Sequence, residues 1–190
     1  MAATNHAQAI KKDSQTYLTT ALLQLLRTHD LDTITVTQVV KRAGVSRMAF
    51  YRNFSTLAEL LTAYFAPAIA ARFQDVLQHV PAEQKLVAMG QFFSDFAPTL
   101  QLAAQRGFES IIQQLFDDNM TTFYQTTMAE AGLTAVQLNY WTKFMSAGVY
   151  AIWREWLLNG QTESLTTIHD LLATLQNSTM EALVKAAKEA

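Results

Sequence analysis

Within the twelve residues AGVSRMAFYRNF, Ala43 to Phe54, two guanidinium groups (Arg47 and Arg52) and one phenol (Tyr51) stand beside Met48 and Ala49. A guanidinium can pair with both acceptors on one base edge, a phenol can hold a phosphate oxygen, and an apolar side chain can meet a thymine methyl. That set suits a polyanion with a groove wide enough for one helix. The plain alternative for each arginine is a solvated surface charge. Catalytic chemistry has no comparable set. His6, His29, His79 and His169 show no metal-ligand spacing, no Gly-rich phosphate loop exists, and no serine stands in a nucleophile-elbow context. Asp117 and Asp118 are adjacent, so they point apart on a helix. No enzyme, no cofactor and no metal is expected.

The elements that must position Arg47 and Tyr51 read as helices. From Asp13 to His29, residues Tyr17, Ala21, Leu22, Leu25 and Leu26 recur at helical spacing. Thr35 followed by Gln38 reads as a capping box opening a short helix through Ala43, which Gly44 can end in the left-handed conformation. Ser46 can cap a second short helix, 47–53, and Thr56 with Glu59 forms a box opening a long one. Val45, Phe50 and Phe54 share a stripe that packs on Val39, Val40 and the first helix. Two short helices joined by a Gly turn and braced by long neighbours describe a helix-turn-helix. Further helices are expected near 57–79, 82–97, 99–106, 108–130, 135–158 and 164–188, punctuated by Pro67, Pro81 and Pro98 and by Gly107, Gly132 and Gly160. No segment alternates as a strand would, so the fold class is all-α with about nine helices. Pro67 either kinks the fourth helix or begins a new one.

Charge divides along the chain. Residues 1–65 hold seven basic side chains (Lys11, Lys12, Arg27, Lys41, Arg42, Arg47, Arg52) against four acidic ones (Asp13, Asp30, Asp32, Glu59), a net +3, and the remainder carries −5 of the total −2. A basic N-terminal third on an acidic body is the asymmetry of a molecule that meets a polyanion at one end. The 190 residues, half of them hydrophobic, can bury a core without staples, and the absence of cysteine excludes disulfides and thiolate chemistry. The longest apolar run, Ala63 to Ala71, is too short to span a membrane, and the N-terminus lacks the apolar stretch of a signal peptide, so a cytoplasmic location is expected.

Thr33 to Leu61, TITVTQVVKRAGVSRMAFYRNFSTLAELL, resembles the DNA-binding domain of the tetracycline-repressor (TetR) family of bacterial transcription regulators. Thr35, Val39, Ala43, Gly44, Val45, Ser46, Phe50, Tyr51 and Phe54 fall in the family's register, over about thirty contiguous residues. Gly148 to Gly160, GVYAIWREWLLNG, looks like the penultimate helix of some members. The resemblance implies a DNA-binding domain over 1–56 and a helical effector-binding and dimerisation domain over 57–190. It implies binding of a palindromic double-stranded operator by a homodimer, and repression relieved by an effector. Arg47 is expected to read a base, Met48 and Ala49 to meet thymine methyls, and Thr35, Thr37, Lys41, Tyr51 and Arg52 to hold phosphates, with amides behind Ser46 doing likewise. Two departures stand out. Many members carry Gly-Thr where this chain has Met48 and Ala49, and a Lys where it has Leu57. These leave open a degenerate member that acts as a protein-binding coactivator.

The C-terminal body should dimerise and sense. Leu138, Trp141, Met145, Gly148, Ile152 and Trp156 on one helix, with Ile168, Leu172 and Leu175 on the next, are the candidate dimer face; the alternative is that they close the monomer core. Phe92, Phe96, Phe108, Phe116 and Met120, with Phe123, Tyr124, Tyr150 and Trp153, form an aromatic set suited to a mostly apolar pocket. Few charges punctuate this region, which points to a small hydrophobic effector.

Overall fold

The computed structural model describes the backbone of residues 2–189 and the side chains of residues 13–188. His6, Lys11 and Lys12 therefore lie outside the described side chains. Eight α-helices carry the chain: α1 Ala2–Leu26, α2 Val36–Ala43, α3 Arg47–Tyr51, α4 Leu57–His79, α5 Lys85–Arg106, α6 Glu109–Thr127, α7 Ala135–Leu158 and α8 Leu165–Glu189. Single 3-10 turns precede α2 (Leu31–Thr33) and α5 (Ala82–Gln84), and no strand occurs among the described residues. The fold is all-α, and no described helix is long and apolar enough to cross a membrane.

One fewer helix forms than the sequence suggests because Pro98 does not divide 82–106. It lies inside α5 and costs the helix one donor without ending it. Pro67 likewise lies inside α4, which excludes a helix start there. The first helix shows a one-residue correction. Tyr17 is 57% exposed, and Leu18 takes its place beside Ala21, Leu22, Leu25 and Leu26, because Leu18, Leu22 and Leu25 follow the helical period.

The chain separates into two compact units. The first comprises 1–67 with 102–112, the second 68–101 with 113–190. In the first, α1 packs on both α2 and α3 around Leu22, Leu26, Val39 and Phe50. Phe65 and Phe108 stack with centroids 6.1 Å apart, and Arg106 closes the unit by donating to the Asp30 carboxylate (3.2 Å) and the Arg27 carbonyl (3.1 Å). Each fully buried Phe or Leu stabilises by roughly 1.5–3 kcal/mol.

The second unit is built on aromatic rings. Phe93 contacts Phe116 (4.6 Å between centroids) and stacks on Trp153 (5.5 Å), while Phe73 of α4 meets Phe92, Phe116 and Phe123 edge-on. α7 and α8 pack together, and Trp141 Nε1 donates to Thr179 Oγ1 at 3.0 Å. Gly90 of α5 lies directly against Trp153, where an added Cβ would sit 2.9 Å from two ring carbons. Removing a mid-helix glycine ordinarily gains about 0.5–1 kcal/mol, but forcing a methyl into a packed ring costs about 1–3 kcal/mol. Gly90→Ala should therefore destabilise the protein by roughly 1–2 kcal/mol, read as a lower urea midpoint at unchanged slope.

Candidate nucleic-acid interface

Local chemistry builds the α2–α3 corner. Thr35 caps α2: its hydroxyl accepts from the Gln38 amide at 3.3 Å, and its own amide donates to Gln38 Oε1 at 2.7 Å. At the other end Gly44 adopts φ +67°, and its amide and that of Val45 both donate to the Val40 carbonyl. Ser46 then caps α3, its hydroxyl accepting from the Ala49 amide at 3.1 Å. Thr56 caps α4 by accepting from the Glu59 amide (3.1 Å), while the Glu59 carboxylate reaches Ser55 rather than Thr56. The capped termini fix where each short helix begins and stops.

α3 buries Phe50 completely and Phe54 just beyond it, leaving the opposite side to solvent. Met48 is 75% exposed, Tyr51, Arg47 and Arg52 are exposed, and Ala49 is half-buried. Thr35, Thr37, Lys41 and Ser46 are exposed on and around α2. Val45, grouped with the packing stripe by sequence, is half-buried. Leu57 opens α4 half-buried. Arg42, beside Lys41, donates to Gln24 of α1 at 2.9 Å and so braces the corner.

Arg47 and Tyr51 hold each other. The guanidinium carbon lies 5.5 Å from the ring centroid, and Nη2 is 3.3 Å from the phenol oxygen. An exposed cation–π contact contributes about 0.5–1 kcal/mol, whereas a bidentate pair with guanine is worth about 1–3 kcal/mol. The contact pre-forms the surface and is weak enough to yield to a base.

The candidate pocket residues divide. Phe92, Phe96, Phe116, Met120, Phe123, Tyr124, Tyr150 and Trp153 belong to the second unit and all but half-buried Phe96 are buried, whereas Phe108 belongs to the first unit, stacked on Phe65. Phe73, which contacts three of the set, lies outside the residues that the sequence singles out; its spacing from Ile69 and Val76 along α4 is the available signal. Burial pushes the Tyr124 phenol well above its ordinary pKa, so it stays protonated, and it donates to Gln176 Oε1 at 3.3 Å. At the edge of the rings, a cavity of about 360 Å³ is lined by Ala82, Lys85, Leu86, Phe123, Thr126, Thr127, Met128 and Gln176. A second opening, of about 280 Å³, lies between α6 and α7 at Ser146. Ser146, Thr142 and Trp153 Nε1 are buried on α7 with no partner among the described residues.

Of the candidate dimer residues, Trp141, Met145, Trp156, Ile168 and Leu172 are buried within the second unit itself; Leu138, Gly148 and Ile152 are half-buried, and Leu175 is exposed. A different stripe of α7 faces outward. Val136, Tyr140 (70% exposed), Phe144, Ala147, Ala151 and Leu158 fall on one helical face, and all are exposed.

Residues 18–64 match the family model described as bacterial regulatory proteins, tetR family. No curated protein matches the chain. Among solved structures, the chain is similar to that of a "Dihydroxyacetone kinase operon activator DhaS", with TM-score 0.56 and 15% identity over 90% of this chain and 97% of that one, a likeness of fold.

The turn at Gly44 gives a direct test of the corner. An added Cβ there meets nothing within 4 Å, so only the left-handed backbone opposes a side chain. Gly44→Ala should cost about 1 kcal/mol and Gly44→Asn less, seen as faster hydrogen exchange at α2 and α3 amides. The match over 18–64 covers the capped corner and its exposed cationic face: that segment is a DNA-binding domain of the tetR type, and the chain is a DNA-binding transcriptional regulator.

Proposed function

We propose that the protein is an effector-responsive repressor that binds a palindromic operator as a homodimer, with residues 1–56 binding DNA and 57–190 dimerising and sensing. The observation that carries the DNA contact is the solvent-facing side of α3, with Arg47, Met48, Tyr51 and Arg52 presented on a helix whose other side is core. Arg47 reads a base edge; Met48 and Ala49 meet methyl groups. Thr35, Thr37, Lys41, Tyr51 and Arg52, with amides of the Ser46-capped turn, position the helix on phosphates. A five-residue reader makes too few contacts for specific affinity alone, and a two-fold pair doubles them.

The dimer forms through the outward stripe of α7, Val136 to Leu158, with Leu171 and Leu175 of α8. An exposed apolar stripe of this kind calls for a partner, and an isologous contact supplies it from a second copy. The effector is a small, largely hydrophobic molecule. Because the aromatic set is packed ring on ring, it enters at the cavity beside Phe123 rather than among the rings. α4 carries the signal, since its residues 57–67 belong to the first unit and 68–79 to the second. An effector that binds tightly and leaves operator affinity unchanged would refute this coupling.

A second reading rests on Met48, Ala49 and Leu57, which depart from the usual reading and phosphate-holding residues, and on the similar solved structure, which is that of an activator by name. On that reading the chain is a coactivator that works by protein contact.

DNA titration separates the two. With a duplex from upstream of the protein's own gene, Arg47→Ala should lose about 1–3 kcal/mol of discrimination, roughly 5- to 150-fold. Lys41→Ala and Arg52→Ala should each lower the salt slope by about 1.8, roughly 0.9 for each subunit of the dimer. A coactivator would show none of these losses while regulation persists. Phe144→Glu should convert the dimer to a monomer in sedimentation velocity and weaken operator binding with it.

A further inference from the structure

The cavity beside Phe123 is lined by both apolar and hydrogen-bond-donating side chains. Leu86, Phe123, Met128 and Ala82 form the apolar wall. Lys85 and Gln176, both half-buried, also line it. Lys85 Nζ donates to the Leu77 carbonyl at 3.0 Å, a neutral acceptor that takes one of its three hydrogens. No Asp or Glu is among the described residues lining the cavity, so the ammonium has no counter-ion there. Gln176 takes the Tyr124 hydroxyl on its amide oxygen, which leaves its two amide hydrogens for another acceptor. The Thr126 and Thr127 hydroxyls donate to the Thr122 and Phe123 carbonyls, so they offer only lone pairs. Lys85 is also the first residue of the 22-residue α5, whose dipole turns its positive end toward the same place.

Ammonium, amide hydrogens and a helix N-terminus converge on a cavity of about 360 Å³, within the range of small-molecule sites. Their complement is an anionic head on an apolar body. We propose that the effector is an amphipathic carboxylic acid, its carboxylate held by Lys85 Nζ and the Gln176 amide and its hydrocarbon or aromatic body laid against Phe123, Leu86 and Met128. This deepens the effector reading given above and rests on it for its regulatory meaning. The acid class, by contrast, rests on the cavity alone. Two ammonium hydrogens remain for the carboxylate, so occupancy links the ligand to the last turn of α4 through Lys85 and the Leu77 carbonyl.

The test uses octanoate and its neutral isostere octanamide, titrated calorimetrically into the full chain, with operator affinity measured by fluorescence anisotropy in the same buffers. Octanoate should bind one per chain, tighter than octanamide by roughly ten-fold or more, the worth of a charge-assisted pair over a neutral one. Lys85→Met should bring the two ligands to parity, Lys85→Arg should restore the preference, and Gln176→Leu should reduce it by an intermediate amount. Circular dichroism establishes that each variant is folded. Equal affinity for acid and amide in the wild type, a preference that survives Lys85→Met, or binding of neither probe would each overturn the proposal. If octanamide binds and releases operator as well as octanoate does, the acid class fails and the effector reading stands. If octanoate binds through Lys85 without altering operator affinity, the site stands and the effector reading fails.

Discussion

The left-handed turn at Gly44 is the constraint on which the reading surface depends. Two amides, from Gly44 and Val45, converge on the Val40 carbonyl, so α2 stops there, and Ser46 restarts the chain as α3 after three residues. α3 has five residues, far below the dozen or so at which a helix sustains itself in water. Its conformation is imposed by the cap at one end and by the burial of Phe50 and Phe54 against the unit's core. The direction in which Arg47 and Tyr51 face is therefore set by the capped turn and by the buried Phe50 and Phe54.

Within that frame the surface is partly organised before any partner arrives. Arg47 lies over Tyr51 at 5.5 Å, which restrains a side chain that would otherwise lose up to about 2 kcal/mol of rotamer freedom on ordering. The restraint is weak enough to exchange. Met48, by contrast, is 75% exposed, and its apolar surface gains by being covered. On the proposed reading, one residue contributes direction and the other contributes area.

Where the sequence speaks through local chemistry, it is legible. The Thr35–Gln38 box, the Gly44 turn and the Ser46 cap each depend on residues within a few positions, and each appears in the structure. Pro98 reads as a break in sequence, since a proline inside a helix loses a donor and crowds the preceding turn at about 3 kcal/mol, yet the burial of Phe93 and Leu100 on either side, roughly 1.5–3 kcal/mol each, offsets that cost. Phe108 reads as one of the second unit's rings because Gly107, at φ +75°, turns the chain between α5 and α6, and periodicity cannot follow a chain through a turn. α7 poses the hardest case. It carries two apolar stripes, one through Trp141, Met145 and Trp156 and the other through Val136, Tyr140 and Phe144. Helical spacing cannot tell which stripe faces the core. Tertiary packing decides it, and it buries the tryptophans.

The proposed coupling asks one helix to serve both units, and α4 has a feature suited to that demand. Its 23 residues span about 34 Å as a single helix. Pro67 lacks the amide that would bond the Ala63 carbonyl, so the hydrogen-bond ladder is weakened there, and the first unit's N-terminal segment ends at that residue. On the proposed reading, a helix weakest at Pro67 would confine bending to that place. The Lys85 bond to Leu77 anchors that far end through one hydrogen bond from a half-buried side chain. A net contribution of about 1–3 kcal/mol for such a charged bond is of the same order as the coupling free energies by which regulators change affinity. On the proposed reading, a ligand held by Lys85 acts on the far end of α4 through this bond.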